Sequence, residues 1–411
     1  MPNAGYKSAI ILVSVFLLCT CIDPYHPKLG DYVSLLVVDG LITDSNNSNI
    51  IKLSRTFQDT NADPVVVSDA TVYITDDNEN STYLTNKGNG IYKTDSIGFR
   101  GSPGRTYVLH IQTAGEEYES DPCIMQSVPD IDSIYFEKDE ELVNNGTQSQ
   151  QGIRIYLDSK GGDNNQFYRW AFDETWKFKV PFPKKFNFNM ADSAITRVDT
   201  VKEFCWKSAK SNDVLIYSNF SGKTLPIKKE PIFFIASDQS DRLLIQYSIL
   251  IKQYSVSKNE YDFWNNLKQL NESGGDIFSR QPFIVTSNIK NLNNPNERVM
   301  GYFQVSAVKQ KRKYITISDI VGLNLPFFHY SCQRFAKEPI DYLAGMAPLP
   351  SWADLYSMWC VTSTYYFIEP VYNANASGKK NISKLVFATP ECANCELSGA
   401  LAKPDFWVDL K

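Results

Sequence analysis

Between residues 34 and 120 short runs of β-branched and aromatic residues alternate with turn-forming clusters. The runs are SLLVVDGLI (34–42), NIIKLSR (49–55), ATVYITD (70–76), STYLTN (81–86), GIYKT (90–94), TYVLHIQT (106–113) and EEYES (116–120). DSNNSN, DTNADP, DDNEN, NKGNG and RGSPGR punctuate them. β-branched and aromatic side chains suit a pleated surface, while Asn, Asp and Gly supply turn conformations. Seven short strands at this spacing predict an immunoglobulin-like antiparallel β-sandwich over residues 33–128. No Cys…Trp…Cys spacing accompanies them, so an antibody-type domain is not implied. DDNENS lacks the glycine and terminal glutamate of an EF-hand loop, and the acidic clusters read as turns.

SVPDIDSIYF (127–136) reads as the seam into a larger β-rich region, 129–411. GIRIYLD (152–158), QFYRWAFD (166–173), TWKFKV (175–180), VLIYSNF (214–220), PIFFIAS (231–237) and GYFQVSAV (301–308) again read as strands. In RLLIQYSILIKQYSV (242–256), Leu243, Ile245, Tyr247, Ile249 and Ile251 share one face, and Gln246, Ser248 and Lys252 the other. SKNEYDFWNNLKQLNESGG predicts one amphipathic helix, about 258–273. Ser257 and Glu260 have capping-box spacing, Tyr261, Trp264, Leu267 and Leu270 form an apolar stripe, and Gly274 is the stop. Two aromatic-laden stretches, PFPKKFNFNM (181–190) and FFHYSCQRFAKEPIDYLAGMAPLPSW (327–352), read as loops. Long irregular segments often carry function. Phe182, Phe186, Phe188, Phe327, Phe328, Tyr330 and Trp352 are therefore the candidate partner-binding residues, since aromatic anchors dominate binding hot spots.

The chain opens with Lys7 and a short apolar core, Ala9 to Leu18. That core is short of the roughly 20 residues needed to span a bilayer, so residues 1–20 read as a signal peptide. Leu18-Cys19-Thr20-Cys21 resembles a bacterial lipobox with Cys21 as the lipidated residue. Cys19 fits less well, because Leu18 would then stand where a small residue is wanted. Residues 21–32 become a lipidated tether, and acyl chains would hold the folded body at a membrane. With a net charge of −5 and no basic cluster, nothing favours nucleic acid.

Removing Cys19 and Cys21 leaves Cys123, Cys205, Cys332, Cys360, Cys392 and Cys395, and six cysteines allow fifteen pairings. Disulfides persist in exported proteins. Cys392 and Cys395, in ECANCELSG, read first as structural staples, with Cys205 and Cys332 as candidate partners. The roles of Cys123 and Cys360 stay open. A zinc site needs four ligands, and His26, His110 and His329 show no ligand spacing; a thioredoxin-like pair wants a βαβ context. No metal or cofactor is expected.

A hydrolase needs a nucleophile, a base and an orienting group, and no Gly-x-Ser-x-Gly elbow, Walker loop, GxGxxG or HExxH occurs. Paired carboxylates would suffice for glycoside hydrolysis. FDETW (172–176) and EKDEE (137–141) are the places to look, but solvated charge is the plainer reading of both.

The chain resembles the Bacteroidota envelope lipoproteins of the domain of unknown function 4249 family. CIDPYHPKL, LLVVDGLIT (35–43), VSDATVYITDDN (67–78), GSPGRTYVLHIQTAGEEYESD (101–121), YSILIKQYSVSKNEYDFW (247–264) and CANCELSGALAKPDFW (392–407) carry the likeness. Ala400, where a second glycine is usual, and TSNI (286–289), in place of a Gly-Asn-Ile pattern, depart from it. The resemblance implies a lipid-anchored outer-membrane protein; the cell surface is favoured over the periplasmic face, but of the acids that mark surface export only Asp23 follows Cys21 closely, and the leaflet stays open. It also implies a partnership with a TonB-dependent transporter in nutrient capture, without catalysis. A stand-alone glycan- or peptide-binding lipoprotein is the alternative.

Overall fold

The computed structural model describes residues 34–410 apart from 57–64, 96–98, 145, 162–166, 220–224, 274–284, 340–349 and 375–379. The signal segment, Cys21 and the helix stop at Gly274 lie outside the described residues. The chain is mainly β.

Leu36–Ile42 and Ile50–Arg55 pair antiparallel and start one sheet. Thr71–Asp76, Thr106–Thr113 and Glu116–Ser120 pair antiparallel in a second. Alternate residues of both point inward, so Leu36, Val38, Ile51, Leu53, Val72, Ile74, Leu109 and Ile111 share one core.

Both sheets are completed from far down the chain. Met300–Val305 runs parallel to Leu36–Ile42, and Ile289–Asn291 runs antiparallel to Glu116–Ser120. Phe303 enters the same core. The seam expected at residue 128 is thus crossed, and a segment read as belonging to the larger region returns to the first. A parallel partner cannot be delivered by a hairpin; here the crossover is the whole middle of the chain. Gly301 makes the approach possible, since a Cβ there would lie 2.0 Å from the Val38 carbonyl oxygen.

The middle region centres on Phe167–Lys179, which pairs with Phe204–Lys210 and Leu215–Ser218 on one side and Gln246–Ser255 on the other. Val308–Thr316 pairs next to Gln246–Ser255. A three-stranded sheet of Ile131–Val143, Gln148–Ser159 and Ile227–Ala236 packs against it through Ile153, Ile155, Leu157, Trp170, Phe172 and Ile249. Tyr247, Ile249 and Ile251 are buried as the period-two pattern predicts. Gln246 and Ser248 are buried as well, because the chain's end covers their face. Gln246 Nε2 donates to the Val408 carbonyl at 2.6 Å, and Arg312 Nη1 donates to Ser248 at 2.7 Å. Trp407, 4% exposed, packs edge-on against Trp206 and Tyr314.

A third core joins Phe188, Leu355, Phe367, Leu385 and Phe387. It holds the sheet of Arg334–Lys337, Lys380–Ala388 and Tyr366–Ala374 and the hairpin Phe186–Phe188/Ile195–Arg197. Residues 181–190, expected as an exposed loop, thus contain a strand whose last side chain is core. Cys332 pairs with Cys392 and Cys205 with Cys395. The closing CxxC is neither a redox pair nor a metal clip: its two cysteines fasten the chain's end to two different strands' neighbourhoods.

Candidate functional site

The long helix, Lys258–Ser273, lies where the middle region meets the sandwich. Its first turns form one wall of a cleft of about 470 Å³. The facing walls come from residues 121–126, from 286–288 and from Tyr302 and Val305. The cleft exists because the sandwich recruits residues 289–305: the same return of the chain brings Tyr302 and Asn288 opposite the helix.

Asn288 is fixed by the backbone of Phe303. Its amide nitrogen donates to the Phe303 carbonyl at 2.9 Å, and its amide oxygen accepts the Phe303 N–H at 2.9 Å. Asn288 Nδ2 also approaches Cys123 Sγ at 3.3 Å. Burial, with help from the nearby Glu260 charge, pushes the Cys123 thiol up to about 12. A thiol held protonated is a poor nucleophile. The Tyr302 phenol is raised too, by burial first and then by Cys123 and Glu260. Its ring packs at 4.7 Å from Phe263.

Glu260 is the residue of most consequence. Its N–H donates to Ser257 Oγ at 3.1 Å, as the capping spacing predicts. Its carboxyl turns inward and is 2% exposed. Glu260 Oε1, Trp264 Nε1, Ser306 Oγ and Arg169 Nε are all buried without a completed hydrogen bond. Burial raises the Glu260 carboxyl to about 7, against the lowering influence of Arg169, Trp264 and Ser306. Trp264 and Ser306 act as donors beside the carboxyl and Arg169 as a nearby positive charge, all favouring the charged form. Arg169 is otherwise committed: it stacks between Tyr254 and Trp264, at 4.5 and 4.7 Å, and donates to Gln304 at 3.0 Å. A buried polar group left unpaired costs about 1–3 kcal/mol; here the three donors surround the one acceptor, so the cluster supplies its own partners.

The carboxylates singled out in FDETW have other work. Glu174, 3% exposed, accepts two bonds from Arg242, at 2.7 and 2.9 Å, and one from the Tyr247 hydroxyl at 2.9 Å. Asp173 accepts from Lys252 at 2.6 Å. Of EKDEE, Glu137 pairs with Lys229, and Asp139 and Glu141 with Arg154, at the surface.

The seven candidate contact aromatics are dispersed. Phe188 is core, and Phe186 and Trp352 pack against it. Tyr330 donates to Asp241 at 2.9 Å. Phe182 lies under Arg334 at 5.5 Å. Phe328 is half-buried against Tyr330, and Phe327 is exposed. Among the described residues no cluster of three His, Cys, Asp or Glu is placed to hold a metal ion.

The residues lining the cleft were not visible as a set in the sequence. Glu260 looked like an ordinary capping acid, and nothing local marks Asn288 or Tyr302. A family model described as "Domain of unknown function (DUF4249)" matches residues 22–312, a span that includes every wall of the cleft. No curated protein matches the chain.

Proposed function

We infer that this chain, which belongs to the DUF4249 family, is a non-catalytic binding subunit of the bacterial cell envelope. The observation that carries the reading is the cleft itself: three distant stretches of chain, residues 121–126, the first turns of the helix and residues 286–305, converge to line it. Binding sites are concave, largely pre-formed and furnished with a few placed polar groups. The candidate reactive groups argue against covalent chemistry, because Cys123 in the cleft is held protonated and Glu174, in the middle region, is consumed by Arg242 and Tyr247.

Two disulfides accord with an exported protein. In this reading acyl groups on Cys21 anchor the body to the outer membrane, facing outward. It works beside a TonB-dependent transporter in capturing a nutrient, with the cleft as the holding site. The aromatics Phe182, Phe327 and Phe328, exposed or half-buried, supply docking contacts.

The test is purification of the tagged protein from gently solubilised native membranes. Recovery of a TonB-dependent receptor in stoichiometric amount is expected. Recovery alone, with a ligand still bound, would favour a stand-alone glycan- or peptide-binding lipoprotein instead.

A further inference from the structure

Residues 405–410 cross the outer face of the sheet built on Phe167–Lys179, and beside them lies a second pocket of about 290 Å³. It shares no lining residue with the cleft. We propose that this pocket holds a doubly charged oxyanion, a phosphate group of the monoester type, between Arg312 and Lys210.

Antiparallel pairing sets Lys210, Asp173, Leu250 and Arg312 in one row across that face. Ser208, Thr175, Ser248 and Tyr314 form the next row. Side chains opposite one another in register share a face and interact. Arg312 Nη1 donates to Ser248 at 2.7 Å, and the guanidinium lies 3.7 Å from the centre of the Phe406 ring. That stack and that bond fix the plane of the fork. Its other N–H groups have no acceptor among the described residues, and no carboxylate pairs with it there. The contrast with Arg242 is informative: bonds to Glu174 raise Arg242 above the ordinary guanidinium range, whereas burial lowers Arg312. A half-buried cation without a counter-charge calls for an anion.

The acids at the pocket do not supply it. Asp173 accepts from Lys252 at 2.6 Å. Glu174 turns its carboxylate to the other face of the sheet, to Arg242 and Tyr247. Lys210 is exposed and unpaired among the described residues. Two uncommitted positive charges therefore flank the pocket, in a chain whose net charge is −5. The exposed Ser208 hydroxyl, 2.8 Å from Thr175 Oγ1, adds a neutral donor. A guanidinium fork matches phosphate oxygens in pairs, and a lysine adds a point charge beside it.

Calorimetric titration of the full chain made without an acyl anchor, Cys21→Ser, tests this at pH 8 in low salt. Inorganic phosphate is expected to bind, and singly charged acetate at least about tenfold more weakly. Arg312→Gln should weaken phosphate binding by at least about tenfold, and Lys210→Gln by roughly threefold. Lys87→Gln, at an exposed lysine of the sandwich, should change nothing. Lys210→Gln alters only the surface and reads the site even where Arg312→Gln does not fold. Sedimentation with vesicles containing phosphatidate separates two sources of the group. Retention that the pocket variants lose identifies a lipid head group; phosphate binding without such retention identifies a free phosphate ester. No binding of phosphate, equal binding of acetate, indifference to the pocket variants, or an equal loss in Lys87→Gln overturns the proposal. None of these outcomes bears on the cleft, which is lined by other residues.

Discussion

Gly301 and Val38 touch where two distant strands meet: a Cβ on Gly301, whose φ is +84°, would lie 2.0 Å from the Val38 carbonyl oxygen. The parallel pairing that completes the sandwich, and brings Tyr302 to the cleft, depends on that contact. Gly301→Ala is expected to lose at least about 2 kcal/mol. Gly115→Ala has a similar φ of +81° with open space around it, and should lose about 1 kcal/mol. Urea unfolding of both separates backbone strain from the clash. Equal losses would mean that the close approach of residues 300–305 is not needed.

Glu174 is expected to behave as a structural acid. Removing one partner of a buried, hydrogen-bonded ion pair costs about 3–5 kcal/mol. Glu174→Gln should therefore lower the melting temperature sharply, and Tyr247→Phe, which deletes one bond, should cost about 1–2 kcal/mol. Unchanged stability in Glu174→Gln would return this carboxyl to the list of functional candidates.

The two disulfides close loops of 190 and 60 residues. On the chain-entropy account they are worth about 5 and about 4 kcal/mol. Peptide mapping without reduction should recover Cys205 with Cys395 and Cys332 with Cys392, and find Cys123 and Cys360 alkylated. Cys395→Ser should unfold at markedly lower denaturant. A Cys392–Cys395 peptide would overturn the pairing and revive a redox role.

Burial carries the Glu260 carboxyl from its ordinary 4.5 to about 7. Between those values the folded chain keeps a proton that the unfolded chain has released. Stability is therefore fully present below pH 4.5 and declines as pH rises through 7, by about 3 kcal/mol in all. Glu260→Gln should lack this slope, so the difference between wild type and variant against pH isolates it. Parallel profiles would show that Glu260 titrates normally.

Much of the fold was legible because its signals are local. Period-two runs marked the strands of the sandwich, and Ser257 with the Tyr261–Trp264–Leu267–Leu270 stripe placed the helix at its observed bounds. The closing cysteines read correctly as staples. What stayed hidden was non-local. GYFQVSAV reads as a strand whichever sheet takes it, so its pairing with Leu36–Ile42 left no mark. Phe188 looked like loop because its partners, Leu355, Phe367 and Phe387, come from far along the chain. Glu260 hid for a different reason. An acid at the third helical position is ordinarily explained by capping, and the burial that lifts this carboxyl is set by tertiary packing that leaves no local mark.

Native mass spectrometry of the protein drawn from its native cells tests the binding reading most directly. Wild type should carry a small-molecule adduct that Asn266→Trp, which fills the cleft, lacks, with both proteins folded. An identical adduct on the two, or none on either, would contradict the assignment of the Glu260 cleft as the place where this protein holds its ligand.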